Sequence, residues 1–318
     1  MTTYIVRRML HAVLVVLIVS LLVFLLMRLL PGDPILMYVT SGDLQSTSKE
    51  QIEHLKHQLG MDRSLPVQYL EWLKNAVQGD LGKSILYRYD VLQEIGNRLP
   101  ITLYLGLWSF AIGCLIGPLL GVASAVRRGK WLDGLVTVLA NLGITAPPFW
   151  LGAIMIYVLS LHLGLLPVYG YTSPLKDLGV NLKQSIMPIL VLATFPVASA
   201  ARQTRSSVIE VMRQDYIRTA WAKGLSERVI ILRHVLKNAL MPVVTLQGML
   251  LRNIIGGSVV VETVFAIPGM GKLVVDGMIS QDYPVVQGVI LIVAVTVVIS
   301  NLLIDILYGW LDPRIQYE

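Results

Sequence analysis

The chain has 318 residues, 55% of them hydrophobic and only 14% charged, with a formal net charge of +6 and one cysteine, Cys114. Soluble domains carry roughly 25% charged residues, so this composition excludes a disordered chain, a nucleic-acid binder and an ordinary cytosolic enzyme. A lone cysteine excludes an internal disulfide and a paired-cysteine metal site.

A hydrocarbon core about 30 Å thick needs roughly 20 apolar helical residues. Stretches without Asp, Glu, Lys or Arg run over 9–27, 99–126, 134–175, 184–201 and 283–304, and 238–261 is interrupted only by Arg252. Six spans are predicted, at about 9–30, 101–126, 135–160, 186–203, 240–262 and 284–308. The first is read as an uncleaved helix. Its apolar run is too long for a signal peptide, and Leu30-Pro31-Gly32-Asp33-Pro34 ends it. After the third span, Gly164, Pro167, Gly170 and Pro174 mark a loop. With the N-terminus inside, the inside segments hold 14 Lys and Arg, against three (Lys176, Lys183 and Lys272) in the two short outside loops. That bias places both termini in the cytoplasm, and the positive net charge becomes a topology signal.

Residues 31–98 carry nine acids and seven bases and form the one sizeable outside segment. Two amphipathic helices are predicted there. One runs from Ser48 to Leu59 and opens with a capping-box pattern, Ser48-x-x-Gln51. The other starts at Pro66, places Val67, Leu70, Leu73 and Val77 on its apolar face, and ends at Gly79. The segment reads as a helical cap on the membrane and, compatibly, as a docking platform. His54 and His57 stand three apart, but no third metal ligand is evident, and solvated surface histidines are the plainer reading.

The inside segment 202–239 is too long for a simple turn. Asp215 is expected to cap a short helix that Gly224 ends. Lying parallel to the membrane, it would present Tyr216 and Ala220 as a knob for a groove on a cytoplasmic partner. A helix that only anchors the loop is the equal alternative.

No nucleotide site is legible. Gly82-Lys83-Ser84 lacks the glycine that a phosphate-binding loop needs at position 77, and Gly271-Lys272 fails in the same way at position 266. The chain therefore moves something or anchors something. Arg252 sits ten residues beyond Pro242, about 15 Å into the bilayer, where a charge costs roughly 2.5 kcal/mol or more. It lines a path for an anionic group, pairs structurally, for example with Asp305, or snorkels to the interface. Asn141, Thr145, Thr245, Gln247 and Asn253 are further candidates for a wet path, although helix–helix hydrogen bonds account for any one of them. Pro147 and Pro148 interrupt the third span, as gate elements or as plain bends.

The inside loop resembles the EAA loop of bacterial ABC importer permeases. It reads Arg218-Thr219-Ala220-Trp221-Ala222-Lys223-Gly224, then Asn238-Ala239-Leu240-Met241-Pro242. Arg218 replaces the acid of the general pattern and the proline comes later. Both departures resemble the dipeptide/oligopeptide/nickel subfamily. Gly79-Asp80-Leu81-Gly82, Arg205-Ser206-Ser207, Glu262-Thr263-Val264-Phe265, Pro268-Gly269-x-Gly271, Asp282-Tyr283-Pro284 and Asp312-Pro313-Arg314-Ile315 agree as well. The long first outside loop resembles the dipeptide permease B type of subunit.

The resemblance implies an all-α membrane protein with six transmembrane helices and the type I ABC importer permease fold. Residues 1–30 hold the first helix, 31–98 the extracytoplasmic helical insertion, and 99–318 a five-helix core with the coupling loop at 202–239. It implies a homologous second permease, two cytoplasmic ABC ATPases that bind ATP and Mg, and an extracytoplasmic substrate-binding protein, in the bacterial inner membrane. It also implies that Asp215, Tyr216, Arg218, Thr219, Ala220, Lys223 and Gly224 meet the ATPase, while this chain is no enzyme and holds no metal or cofactor. Dipeptides or oligopeptides are the expected cargo, with nickel, glutathione or haem as alternatives. The competing classes are a self-sufficient secondary transporter, for which no inverted repeat is evident, and a structural membrane anchor.

Overall fold

The computed structural model describes residues 2–29, 57, 62–251 and 256–311. In chain order its helices are α1 (Thr2–Leu29), α2 (Leu65–Val77), α3 (Val91–Val126), α4 (Trp131–Thr145), α5 (Pro148–His162), α6 (Leu178–Val211), α7 (Asp215–Ala222), α8 (Glu227–Ala239), α9 (Met241–Leu251), α10 (Val259–Val264), α11 (Met270–Ile279) and α12 (Tyr283–Leu311). Four of them, α1, α3, α6 and α12, are long and apolar enough to cross a membrane. The bent pairs α4–α5 and α8–α9 bring the number to six if each pair is one span.

The element boundaries differ from the charge-free stretches for local reasons. Helix α3 starts at Val91 rather than 101, because the Asp90 carboxylate accepts the Gln93 N–H at 2.9 Å and caps it. Residues 91–98 are thus the first two turns of a long helix. Asp177 caps α6 in the same way, accepting from the Val180 N–H at 3.0 Å. The helix then runs through Lys183, Arg202 and Arg205, past both predicted ends. The third span is not one helix: α4 and α5 meet at 110°. Pro147 forces Ala146 into an extended conformation (φ −68°, ψ 127°), and Pro148 starts the next helix. The last turns of α5, Ile156–His162, are π-helical. The expected fifth span contains α9, a 3₁₀ turn at Gly256–Ser258 and α10. Arg252 and Asn253 lie outside the described residues, as do Ser48–Leu59 except His57, and the Asp305 side chain.

The chain divides into two compact units within α3, Met1–Ile101 with Pro268–Glu318 and Thr102–Ile267. In the first, α1 packs along α12 through Val23, Met27, Tyr283 and Val286. Helix α2 is tied to α1 by its amphipathic side chains. The Tyr69 hydroxyl lies 2.9 Å from Ser20 Oγ, its ring meets Phe24 edge-on at 5.5 Å, and Arg28 donates to Gln68 Oε1 at 2.8 Å. The packed stripe therefore includes Gln68, Tyr69, Trp72 and Leu73, whereas Val67, Leu70 and Val77 of the expected face are exposed. A count of aliphatic positions overlooks aromatic residues whose body packs while the polar tip is hydrogen-bonded. Leu81, Val91, Ile95, Met270, Leu273, Val285 and Val289 fill the rest of this core.

The second unit is built around α6. Gly113, Gly117 and Gly121 of α3 lie against Pro196, Ala200 and Thr204 of α6, one helical turn apart on each side. A Cβ built on these glycines would come within 2.6, 2.5 and 2.6 Å of those residues. Gly143 of α4 meets Ala198 and Thr194 on another side of α6. Small residues at this spacing let membrane helices pack backbone to backbone.

Candidate functional site

At the end of α6 the chain turns through Met212–Gln214 into α7. Gln214, not Asp215, occupies the N-cap position, and Asp215 is the first helical residue, ion-paired to Arg218 at 3.1 Å. One face of α7 is driven inward by Ile217 and Ala220. They join Ala125, Val208, Ile230, Val235 and Ala239 in a single apolar cluster. Ala220 is only 5% exposed, so it seats the knob instead of decorating it. The opposite face shows Asp215, Tyr216, Arg218, Thr219 and Lys223 to solvent, together with Trp221, which the motif reading passed over. The Tyr216 hydroxyl accepts from Asn238 Nδ2 at 2.8 Å, which braces α7 against α8. Gly224 ends the helix with φ +74°, a conformation that costs other residues roughly 1 kcal/mol or more.

The seat of this knob is locked by a buried charge cluster. Asp133, near the start of α4, accepts from Arg205 Nε at 2.6 Å and Arg205 Nη2 at 3.0 Å. It also accepts from Ser124 Oγ at 2.6 Å and from the Gly129 N–H at 3.0 Å. One carboxylate thus joins the end of α3, the start of α4 and α6 six residues before its end. Arg205 was legible only as part of a motif. Asp133 was not singled out, because a lone acid beside a span carries no sign of its distant partner.

The candidate path residues are spread over two helices that both pack on α6. Asn141 and Thr145 are exposed on α4, and Thr145 donates back to the Asn141 carbonyl at 3.0 Å. Thr245 is exposed on α9 and bonds the Met241 carbonyl at 3.2 Å. Gln247 differs. It is 6% exposed, and neither its Nε2 nor its Oε1 has a hydrogen-bond partner among the described residues. A buried amide without partners costs about 1–3 kcal/mol, a cost that the described residues leave uncompensated. Elsewhere, His57 Nδ1 lies 2.6 Å from Asp62 Oδ2. That bond holds the exposed Asp62 carboxyl below the usual range.

Comparison with known proteins agrees over the whole length. Residues 117–317 match the family described as binding-protein-dependent transport system inner membrane component, and residues 1–106 match its N-terminal counterpart. A Brucella abortus protein carrying the name peptide transport system permease is 43% identical over 100% of both chains. The oligopeptide transport system permease AppB of Bacillus subtilis is 41% identical, again over 100% of both. The glutathione transport system permease GsiC of Escherichia coli is 40% identical over the same full lengths. A crystal structure of an amino acid ABC transporter with histidines matches 69% of this chain and 97% of its own, at 14% identity and TM-score 0.49. The chain is a permease subunit that belongs to the family of binding-protein-dependent transport system inner membrane components.

Proposed function

We propose that this permease pairs with a homologous second permease to form a path for short peptides. An extracytoplasmic binding protein delivers the peptide, and two cytoplasmic ATPases, which hold the ATP and Mg, drive the cycle. Both termini lie in the cytoplasm. The observation that carries this reading is α7. It is a short helix whose inner face is sewn to the ends of the membrane helices, and whose outer face offers Tyr216, Thr219, Trp221 and Lys223 to a partner. A push on such a knob moves the ends of α3, α4 and α6 together, through the Asp133–Arg205 clasp. Peptide cargo is supported by the named relatives. It is also supported by Gln247, whose amide matches the donor and acceptor of a peptide bond.

The test is purification of the tagged chain in mild detergent with identification of stoichiometric partners. A second permease and ATPase subunits are expected, and a lone chain or homo-oligomer would defeat the reading. In the reconstituted complex, Gly224→Val puts a β-branched residue at φ +74° with open space around it. ATP hydrolysis should then continue while peptide uptake falls at least about tenfold. Normal uptake by a stably inserted variant would remove α7 from the coupling role.

A further inference from the structure

The unit made of Met1–Ile101 and Pro268–Glu318 contains a cavity of about 450 Å³, lined by none of the candidate path residues. Its walls include Tyr87, Tyr89, Arg98, Asp276, Ser280 and Asp282. Asp282 forms the floor and is only 2% exposed. Its carboxylate accepts from Ser84 Oγ at 2.5 Å and from the Ile85 N–H at 3.1 Å, and both donors are neutral. The other lining charges are already matched. Arg98 pairs with Glu94 at 2.5 Å, and Asp276 pairs with Lys272 at 3.0 Å. Among the described residues Asp282 therefore forms no ion pair, and the one cation that lines the cavity, Arg98, is held by Glu94.

The rest of the cavity suits a cation. Tyr87 and Tyr89 stand in a near-parallel stack, 6.1 Å apart with 6° between their planes. Arg88 between them is at φ 63°, and Gln281 before Asp282 is at φ 52°. Two non-glycine residues thus hold left-handed conformations at one mouth. The Tyr89 phenol is pushed up to about 12, by burial first and then by the Asp282 charge, so it stays neutral and adds no counter-charge. Tyr87 and Ile279 stand 67% and 72% exposed at the rim. An exposed tyrosine beside a partly apolar pocket, lined also by Leu273 and Ile279, suits an anchor side chain from a protein partner. Aromatic faces also add attraction for ammonium and guanidinium groups.

We infer that this cavity receives a basic side chain, Lys or Arg, from the extracytoplasmic binding protein when it docks. The inference rests on the proposed function, which gives this protein an outer partner and, with both termini inside, puts α11 with Lys272 and the following Asp282 on the outer side. A long flexible cation is the ligand that both fits the cavity and neutralises its floor.

The experiment uses the complete transporter in lipid nanodiscs and measures its affinity for its purified binding protein. Tyr87→Ala removes one aromatic wall at the surface. Ser280→Lys puts a tethered ammonium into the cavity as a competitor. Each should weaken binding-protein affinity about tenfold, and Tyr87→Phe should restore it. ATP hydrolysis without the binding protein should stay unchanged. Equal affinities for wild type and both variants would overturn the inference alone. So would unchanged docking with a raised KM for cargo, because the cation would then be the peptide's own amine. A wild-type complex that shows no binding-protein stimulation at all would overturn the proposed function, and this inference with it.

Discussion

At the residue scale, the Asp133 side chain is 8% exposed and makes four hydrogen bonds, two of them to Arg205. Breaking a buried pair by removing one partner leaves a charge without compensation. Because Arg205 is 31% exposed and Asp133 keeps two other donors, Arg205→Ala should lower the stability of the purified complex by about 1–2 kcal/mol, and thermal unfolding in detergent reads the loss. An unshifted midpoint would mean that water or another partner satisfies Asp133. Tyr89 gives a second residue-scale prediction. Its raised value stabilises the fold below pH 10, and that contribution is lost as pH rises towards about 12. The ultraviolet difference titration between wild type and Tyr89→Phe should show one phenolate forming near pH 12. Ionisation at the ordinary tyrosine value would show that the ring is solvated. The sequence signals explain which of these residues were legible. Tyr216 and Gly224 stood inside a recognisable motif; Tyr216 is exposed and Gly224 takes a left-handed turn. Asp133 carried no pattern, because its partner Arg205 lies far along the chain.

At the element scale, the decisive feature is the seam between α3 and α6. Gly113, Gly117 and Gly121 recur every four residues, a pattern plainly readable in the sequence that a search for charge-free stretches walks past. A Cβ at Gly121 would come within 2.5 Å of the Ala201 carbonyl oxygen, which is backbone and cannot turn aside. Gly121→Ala should cost about 1–3 kcal/mol of helix packing, visible as a lower unfolding midpoint and a poorer yield of assembled complex. An equally stable variant would show that the helices separate easily. Span existence was readable because some 20 apolar residues have few alternatives. Ends were not, because capping by Asp90 and Asp177 and the helical tolerance of Lys183 and Arg205 are decided by single side chains. The face of α2 was misread for a related reason: its packing uses Gln68, Tyr69 and Trp72, which a hydrophobic count scores low.

At the scale of the whole molecule, the Lys and Arg bias supports the proposed orientation in the membrane. In a Cys114→Ala background, Lys223→Cys should be shielded from a membrane-impermeant thiol reagent applied to intact cells, whereas Val77→Cys should react. The reverse pattern would invert the orientation and remove both the ATPase contact and the docking cavity. The family architecture was legible because its motifs run from residue 30 to residue 315. The division into two units was not, since it joins the N-terminal hundred residues to the last fifty through contacts remote in sequence.

The glycine seam has one more consequence, for the lipid. The charge-free stretch of α3 covers 28 residues, 99–126, about 42 Å of helix at 1.5 Å per residue against a hydrocarbon layer of about 30 Å. The surplus is absorbed by tilt. Because three backbone contacts weld α3 to α6, that tilt is set by the neighbouring helix, and the bilayer must adjust to it. Uptake in vesicles of graded acyl-chain length should then vary little across moderate thicknesses and fail abruptly once the lipid can deform no further.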